Sequence, residues 1–135
     1  MMTDTDDQEG SVIVVSSIVS VVDDDESVRE SLPDLLRELG YAVQAFSSAE
    51  EFLASDWVGQ TRCLILDIAM PGMSGIDLQE ELMRRHVEIP IVFITAQGDE
   101  MIRKRVLRQG AVECLFKPFG EAALLKALGA ALRVS

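Results

Sequence analysis

The residues in this chain best equipped for chemistry are acids. Asp23, Asp24 and Asp25 stand in one run, Asp67 closes a stretch of aliphatic residues, and Thr95 and Lys117 each close another. Carboxylates brought together repel one another, and the arrangement is tolerable only if a cation is shared or one acid keeps its proton. Hard oxygen ligands with no histidine or cysteine beside them favour Mg2+, which is held by a few carboxylates and keeps several waters. Asp23, Asp24 and Asp67 fit such a site. A lysine opposite the metal adds a second positive pole and the Thr95 hydroxyl a donor, the set needed to neutralise the oxygens of a phosphoryl group in transfer. One aspartate would then be the nucleophile, forming an aspartyl phosphate.

Such chemistry needs elements that bring four distant segments to one place. Ile18 to Val22 is a β-branched run that stops at the acids, as a buried parallel strand does at the edge of a sheet. Val28, Leu32, Leu35, Leu36 and Leu39 then share one helical face, closed by Gly40. Pro33 inside that helix is expected to kink it or to cost about 3 kcal/mol. Tyr41 to Phe46 reads as a second strand, and Ser48 with Glu51 three residues on has capping-box spacing. A third strand, Cys63 to Leu66, ends at Asp67. Ser74 and Asp77 open a helix expected to turn Ile76, Leu78, Leu82 and Met83 inward, followed by a fourth strand at Ile91 to Ile94. A helix over 99–109 is closed by Gly110, Val112 to Phe116 is a fifth strand, and Leu124, Leu125, Leu128 and Leu132 mark the last helix. Five strand-then-helix units with apolar rather than alternating strands predict a doubly wound, five-stranded parallel α/β sheet covered on both faces. Ligands of such sheets sit outside the carboxyl ends of the strands, at the topological switch point. Asp23, Asp24, Asp67, Thr95 and Lys117 all fall on that rim.

Composition narrows the classes. The 135 residues suit one domain, and 48% hydrophobic with 26% charged residues argues against bulk disorder. Lys plus Arg number 12 against 23 Asp plus Glu, a net charge of −11 that disfavours direct binding to nucleic acid or to an anionic membrane. Arg103, Lys104, Arg105 and Arg108 read as a solvated helix face or a partner contact. Cys63 and Cys114 lie in apolar runs without CxxC spacing, and His86 is the only histidine, so both read as buried thiols in a reducing compartment. The apolar stretch from Ser11 to Val22 is broken by serines and too short to span a bilayer. Met1 to Gly10 is acidic, unlike the basic start of a secretory signal. The expectation is a cytoplasmic protein without a membrane segment: an acidic N-terminal extension over 1–17, disordered at least to residue 10, and one domain over 18–135.

Four stretches taken in order resemble the receiver domain of bacterial two-component response regulators. They are Val-Val-Asp-Asp-Asp-Glu-Ser-Val-Arg at 21–29, Leu-Asp-Ile-Ala-Met-Pro-Gly-Met-Ser-Gly at 66–75, Ile-Thr-Ala at 94–96 and Lys-Pro-Phe at 117–119. With Gly110-Ala111-Val112, the wording is most similar to the nitrogen-fixation regulator J subfamily, whose members usually carry a C-terminal helix-turn-helix output domain. The resemblance implies a flavodoxin-like (βα)5 fold and a phosphoprotein of a phosphorelay that regulates transcription. It implies that Asp67 accepts a phosphoryl group from a sensor histidine kinase, and that Asp23, Asp24 and Asp67 hold Mg2+ with the Ala69 carbonyl as a further ligand. Thr95 would hydrogen-bond a phosphoryl oxygen and Lys117 would pair with it, the Lys117–Pro118 bond being cis. Met70-Pro71 and Gly72 to Gly75 would shape the loop after the acceptor, and the small Ala96 would leave room for the donor. Such a domain is no enzyme beyond its own phosphoryl transfer and dephosphorylation. Phosphorylation would switch the face made by helix 4, strand 5 and helix 5, and would drive formation of a homodimer.

Two departures from the family pattern stand out. Cys114 occupies the place, three residues before the lysine, where the family commonly has an aromatic, so the expectation is a switch without an aromatic gate, resting on Thr95, Ala96 and the following loop. Ala69 and Gln97 occupy the positions that tune hydrolysis of the aspartyl phosphate. Among rivals, a haloacid-dehalogenase-type phosphatase needs a second aspartate where Ala69 stands, and a calcium loop starting at Asp23 needs glycine where Val28 stands. A pseudo-receiver, folded alike but used only for binding proteins, is the remaining alternative. The chain ends with its last helix, as expected of a stand-alone receiver or of a piece of a longer regulator.

Overall fold

Each apolar run becomes a strand and each periodic run a helix. The computed structural model describes residues 18–96 and 98–133, so the extension expected over 1–17 and the side chain of Gln97 lie outside the described residues. In order, the elements are β1 (Ile18–Val22), α1 (Glu26–Glu38), β2 (Ala42–Phe46), α2 (Ala49–Ala54), a single 3-10 turn (Val58–Gln60), β3 (Thr61–Asp67), α3 (Gly75–Arg84), β4 (Ile91–Thr95), α4 (Glu100–Arg108), β5 (Glu113–Phe116) and α5 (Glu121–Arg133). The strands form one parallel sheet in the order β2-β1-β3-β4-β5. The chain winds outward from β1 to β2, then crosses back to β3 and proceeds the other way, which places the switch point between β1 and β3.

Alternation along the strands divides the core into two layers. Leu64, Leu66 and Phe93 bury toward α2, α3 and α4 with Phe52, Leu78 and Val106. Cys63, Ile65, Val92 and Ile94 bury toward α1 and α5 with Leu36 and Leu128. Each fully buried aliphatic or aromatic side chain contributes roughly 1.5–3 kcal/mol. Both cysteines are free and buried, as the sequence implies, and burial pushes Cys63 up to about 12 and Cys114 up to about 11. Among the described residues no helix is long and apolar enough to cross a membrane.

The helices follow their caps. Asp25 caps α1 by accepting from the Ser27 amide, and Gly40 leaves it at φ 101°. Pro33 does not end the helix: it removes one backbone donor but buries its ring beside Leu32 and Leu36, and the helix continues to Glu38. At α3 the capping box is complete, with Ser74 and Asp77 each bonding the other's amide. At α2 only half forms. Ser48 accepts from the Glu51 amide, but the Glu51 carboxylate turns to the amide of Ser47, at 2.6 Å.

One position expected inside is outside: Met83 is 53% exposed, and on the last helix Leu125 is 37% exposed. The buried face of α3 instead takes Gln79, whose amide donates to the Val106 carbonyl at 3.3 Å, and that of α5 takes Ala127 and Ala131. In both cases the helix turns a smaller or polar residue to the sheet, and the hydrophobicity of Met83 misled the reading of the sequence.

Candidate functional site

Strand register assembles the rim. Val22 pairs with Leu66, so Asp23 emerges beside Asp67; Asp67 pairs with Ile94, so Thr95 lies one step further; Thr95 pairs with Phe116, so Lys117 follows at the same height. Asp23, Asp67 and Thr95 are buried at 0%, 5% and 3% exposure, whereas Asp24 faces solvent. The run of three aspartates is thereby divided: Asp25 is spent on capping α1, and Asp23 and Asp24 are left to the pocket.

Asp23 is held on every side. One carboxylate oxygen accepts the Asp25 amide at 2.9 Å and the other accepts Lys117 Nζ at 2.9 Å, while Arg29 donates to its carbonyl at 3.0 Å. Lys117 Nζ also stands 3.7 Å from Asp67 Oδ1. Its own amide donates to the Thr95 carbonyl at 2.7 Å, and the Lys117–Pro118 bond is cis, as the resemblance implied. Burial alone would lower the Lys117 ammonium, but its hydrogen bond to Asp23 and the surrounding carboxylates raise it overall, so it stays charged.

Asp67 is the under-compensated member. Burial pushes its carboxyl up to about 7, the Asp23 and Asp24 carboxylates push the same way, and Lys117 opposes them. Asp23, Asp24 and Asp67 each offer an oxygen within 4.8 Å of the other two. An all-oxygen set carrying surplus negative charge suits a hard divalent cation, and Mg2+ fits it. Ala69 lies two residues beyond Asp67 in the loop that leaves the rim.

That loop is shaped by contacts the sequence reading did not find. Gly75 packs so closely that a β carbon would stand 2.2 Å from the Asp67 carbonyl oxygen, and its amide donates to the Ile68 carbonyl at 2.9 Å. The Glu50 carboxylate, reaching from α2, accepts the Met73 amide at 3.0 Å. Neither Arg29 nor Glu50 carries a local signal, since both act across elements whose docking only the sheet order defines. The helix-4 cations also divide: Lys104, Arg105 and Arg108 are exposed, but Arg103 turns inward to Glu113 of β5 at 3.1 Å. A cavity of about 770 Å³ lies away from this chemistry, among residues such as Ile89, Ile91 and Val112 at the amino ends of the strands. Ligand chemistry in this fold belongs to the other end.

A doubly wound parallel sheet with an acid pocket and a lysine at its switch point defines the class, and comparison with known proteins supplies the family. Residues 19–129 match the response regulator receiver domain, and the chain belongs to that family. It is 49% identical over 115 residues to nodulation protein W of Bradyrhizobium diazoefficiens, covering 85% of this chain and 51% of that protein. It is 39% identical over 114 residues to the transcriptional regulatory protein FixJ of Azorhizobium caulinodans, covering 84% and 54%. The structure of the response regulator StyR superposes with a TM-score of 0.81 at 51% identity, over 87% of this chain and 59% of that one. The chain spans about half the length of the curated relatives it matches.

Proposed function

We propose that Asp67 accepts a phosphoryl group from the phosphohistidine of a sensor histidine kinase, or from a small acyl phosphate, and that the domain switches on that modification. The observation that carries this reading is Asp67 itself, a buried carboxyl raised to about 7 between two acids and one ammonium at the switch point. An Asp67 oxygen attacks phosphorus, the bond from phosphorus to the donor nitrogen or acyl oxygen breaks, and the donor leaves with its electron pair. Lys117 pairs with an oxygen of the transferred group, and the Thr95 hydroxyl donates to another. When bound by Asp23, Asp24, Asp67 and the Ala69 carbonyl, Mg2+ supplies the charge neutralisation that the acids lack. Ala96, small and exposed, leaves the approach open. The domain turns over no separate substrate and catalyses only its own transfer and hydrolysis. A complete set of three acids and a lysine favours this reading over a domain used only for binding.

We place this switch in the cytoplasm and in the control of transcription, as the name of FixJ suggests for that relative. Its output would be self-association through α4, β5 and α5, where Met101 is 80% exposed, without DNA contact by this acidic domain. Intact-protein mass spectrometry tests the central step. The wild type should gain one phosphoryl group from acetyl phosphate with Mg2+, and neither the wild type in chelator nor Asp67→Asn should gain one. An undiminished adduct in either control overturns the assignment.

Lys117 and Thr95 should matter more for the response than for capture. Lys117→Ala and Thr95→Ala should still label, about 10-fold or more slowly if each loses one charge-assisted contact, yet lose the change in amide exchange over α4 and β5. Wild-type exchange changes in both labelled variants would refute these roles.

A further inference from the structure

The residue paired with Thr95 across the sheet is an aromatic, Phe116. Thr95 and Phe116 are register partners across β4 and β5, so their side chains leave the sheet on the same face; Cys114 is partnered with Phe93, one pleat further from the rim. The ring is half-buried and gripped by the segment that follows Thr95. At Gly98 a β carbon would come within 3.3 Å of ring carbon Cδ2, so the loop passes against the ring with no side chain between them. From α4 the Arg103 guanidinium lies over the ring, 5.7 Å from its centroid, within cation–π range. The same guanidinium pairs with Glu113 at 3.1 Å, and that carboxylate also accepts the Cys114 amide at 2.9 Å.

We infer that Phe116 is the positioning residue that carries a displacement of Thr95 to α4, with the Arg103 guanidinium as its grip on the helix. This rests on the reading of Asp67 as phosphoacceptor. When Thr95 turns toward a phosphoryl group, it vacates space beside Phe116 on their common face and draws on the loop that runs through Gly98. The ring is in contact with that loop and with α4 at once, so it cannot follow the first without changing its stacking on the second. Arg103 then gives up its aromatic face and keeps its carboxylate partners Glu113 and Glu100, and the first turns of α4 shift between two packings. The thiol at Cys114 is too small to do this. In place of the gateless switch expected from Cys114, an aromatic stands one residue before the lysine.

Amide exchange over 99–108, with and without phosphorylation of the full chain by acetyl phosphate and Mg2+, tests the inference on Phe116→Leu, Phe116→Tyr and Arg103→Gln. All three should label at Asp67 at the wild-type rate, since none touches the acids. The phosphorylation-dependent change in α4 exchange should fall about two- to fivefold in Phe116→Leu and Arg103→Gln, the worth of one cation–π contact, and persist in Phe116→Tyr. Arg103 is partly exposed, so its variant guards against a fold defect at Phe116. A full response in Phe116→Leu and Arg103→Gln, or an equal loss in Phe116→Tyr, overturns the role of the ring while leaving Asp67 as acceptor. Failure of the wild type to label overturns the phosphoacceptor reading instead, and this coupling with it.

Discussion

Gly75→Ala is expected to be among the most damaging conservative changes in the domain, although it adds only one methyl group. That methyl would stand 2.2 Å from the Asp67 carbonyl oxygen and 3.0 Å from Ile68 Cα, all backbone, so no side chain can rotate to make room. Either β3 or the start of α3 must move. Overpacking of this kind costs about 3 kcal/mol or more where the neighbours cannot yield. The bond from the Gly75 amide to the Ile68 carbonyl, 2.9 Å, would be strained with it, and Asp67 would be displaced relative to Asp23 and Lys117. Denaturant unfolding should show the loss of stability, and acetyl phosphate labelling should slow in the fraction that remains folded. Gly129→Ala is the matched control: nothing lies within 4 Å of its β carbon, it sits inside α5, and it should stabilise by about 0.5–1 kcal/mol. Equal stability and labelling in Gly75→Ala and the wild type would mean that the loop does not hold the acceptor as described.

The rim was legible in the sequence because parallel strands announce their ends. Each apolar run stops at a residue that cannot be buried without a partner, and Asp23, Asp67 and Lys117 are three of those stops. Thr95 ends β4 rather than following it, a difference of one residue that leaves it on the rim. The sheet order was needed for the rest. From the sequence, Asp23 and Asp24, the first two of three consecutive aspartates, fall at the pocket, and the structure supplies the reason: Asp25 is taken by the cap of α1.

Where the sequence misled, one residue type outweighed geometry. Met83 was assigned to the core for its hydrophobicity, but the face of α3 that meets the sheet carries Gln79. Gln79 can be buried because the Val106 carbonyl receives its amide, a partner 27 residues away that no helical periodicity reveals. Arg103 was grouped with Lys104, Arg105 and Arg108 because four cations on one helix ordinarily face water. Its inward turn depends on Glu113 and Phe116, which β5 brings beneath α4. Pro33 was expected to kink α1 or to cost it stability, and the helix runs through it to Glu38 with the ring buried. These are the relations between elements that an amphipathic pattern cannot encode, and they include the contacts that connect the rim to the helices around it.

The metal-free protein is expected to be more stable at pH 5.5 than at pH 8, the reverse of an ordinary surface carboxylate, and Mg2+ should abolish the difference. Asp67 titrates near 7 in the fold against 3.8 in the unfolded chain, chiefly through burial and secondarily through Asp23. Between those values the native state holds a proton that the unfolded state has lost, so stability is fully present below the lower value and is lost as pH rises through the upper one. Lifting a carboxyl from 3.8 to about 7 costs the charged form on the order of 4 kcal/mol. About 2 kcal/mol of that falls between pH 5.5 and 8, enough to lower the melting temperature by about 5–10 °C. Asp25 and Glu81 are shifted the other way by hydrogen bonds from Ser27 and from Arg85, and their contribution is lost only as pH falls below the usual carboxylate range, outside this window. A cation held by Asp23, Asp24 and Asp67 needs Asp67 ionised, so its binding must release a proton below pH 7 and weaken as pH falls. Melting curves in chelator at the two pH values, repeated at saturating Mg2+ and in Asp67→Asn, separate this effect from the repulsion of the other acids. The slope should vanish in Asp67→Asn, and Mg2+ should raise the melting temperature of the wild type more at pH 8 than at pH 5.5. A wild type whose stability is flat across the window would show that Asp67 is ionised in the fold without a metal, and an Asp67→Asn variant that keeps the slope would show that other groups carry it.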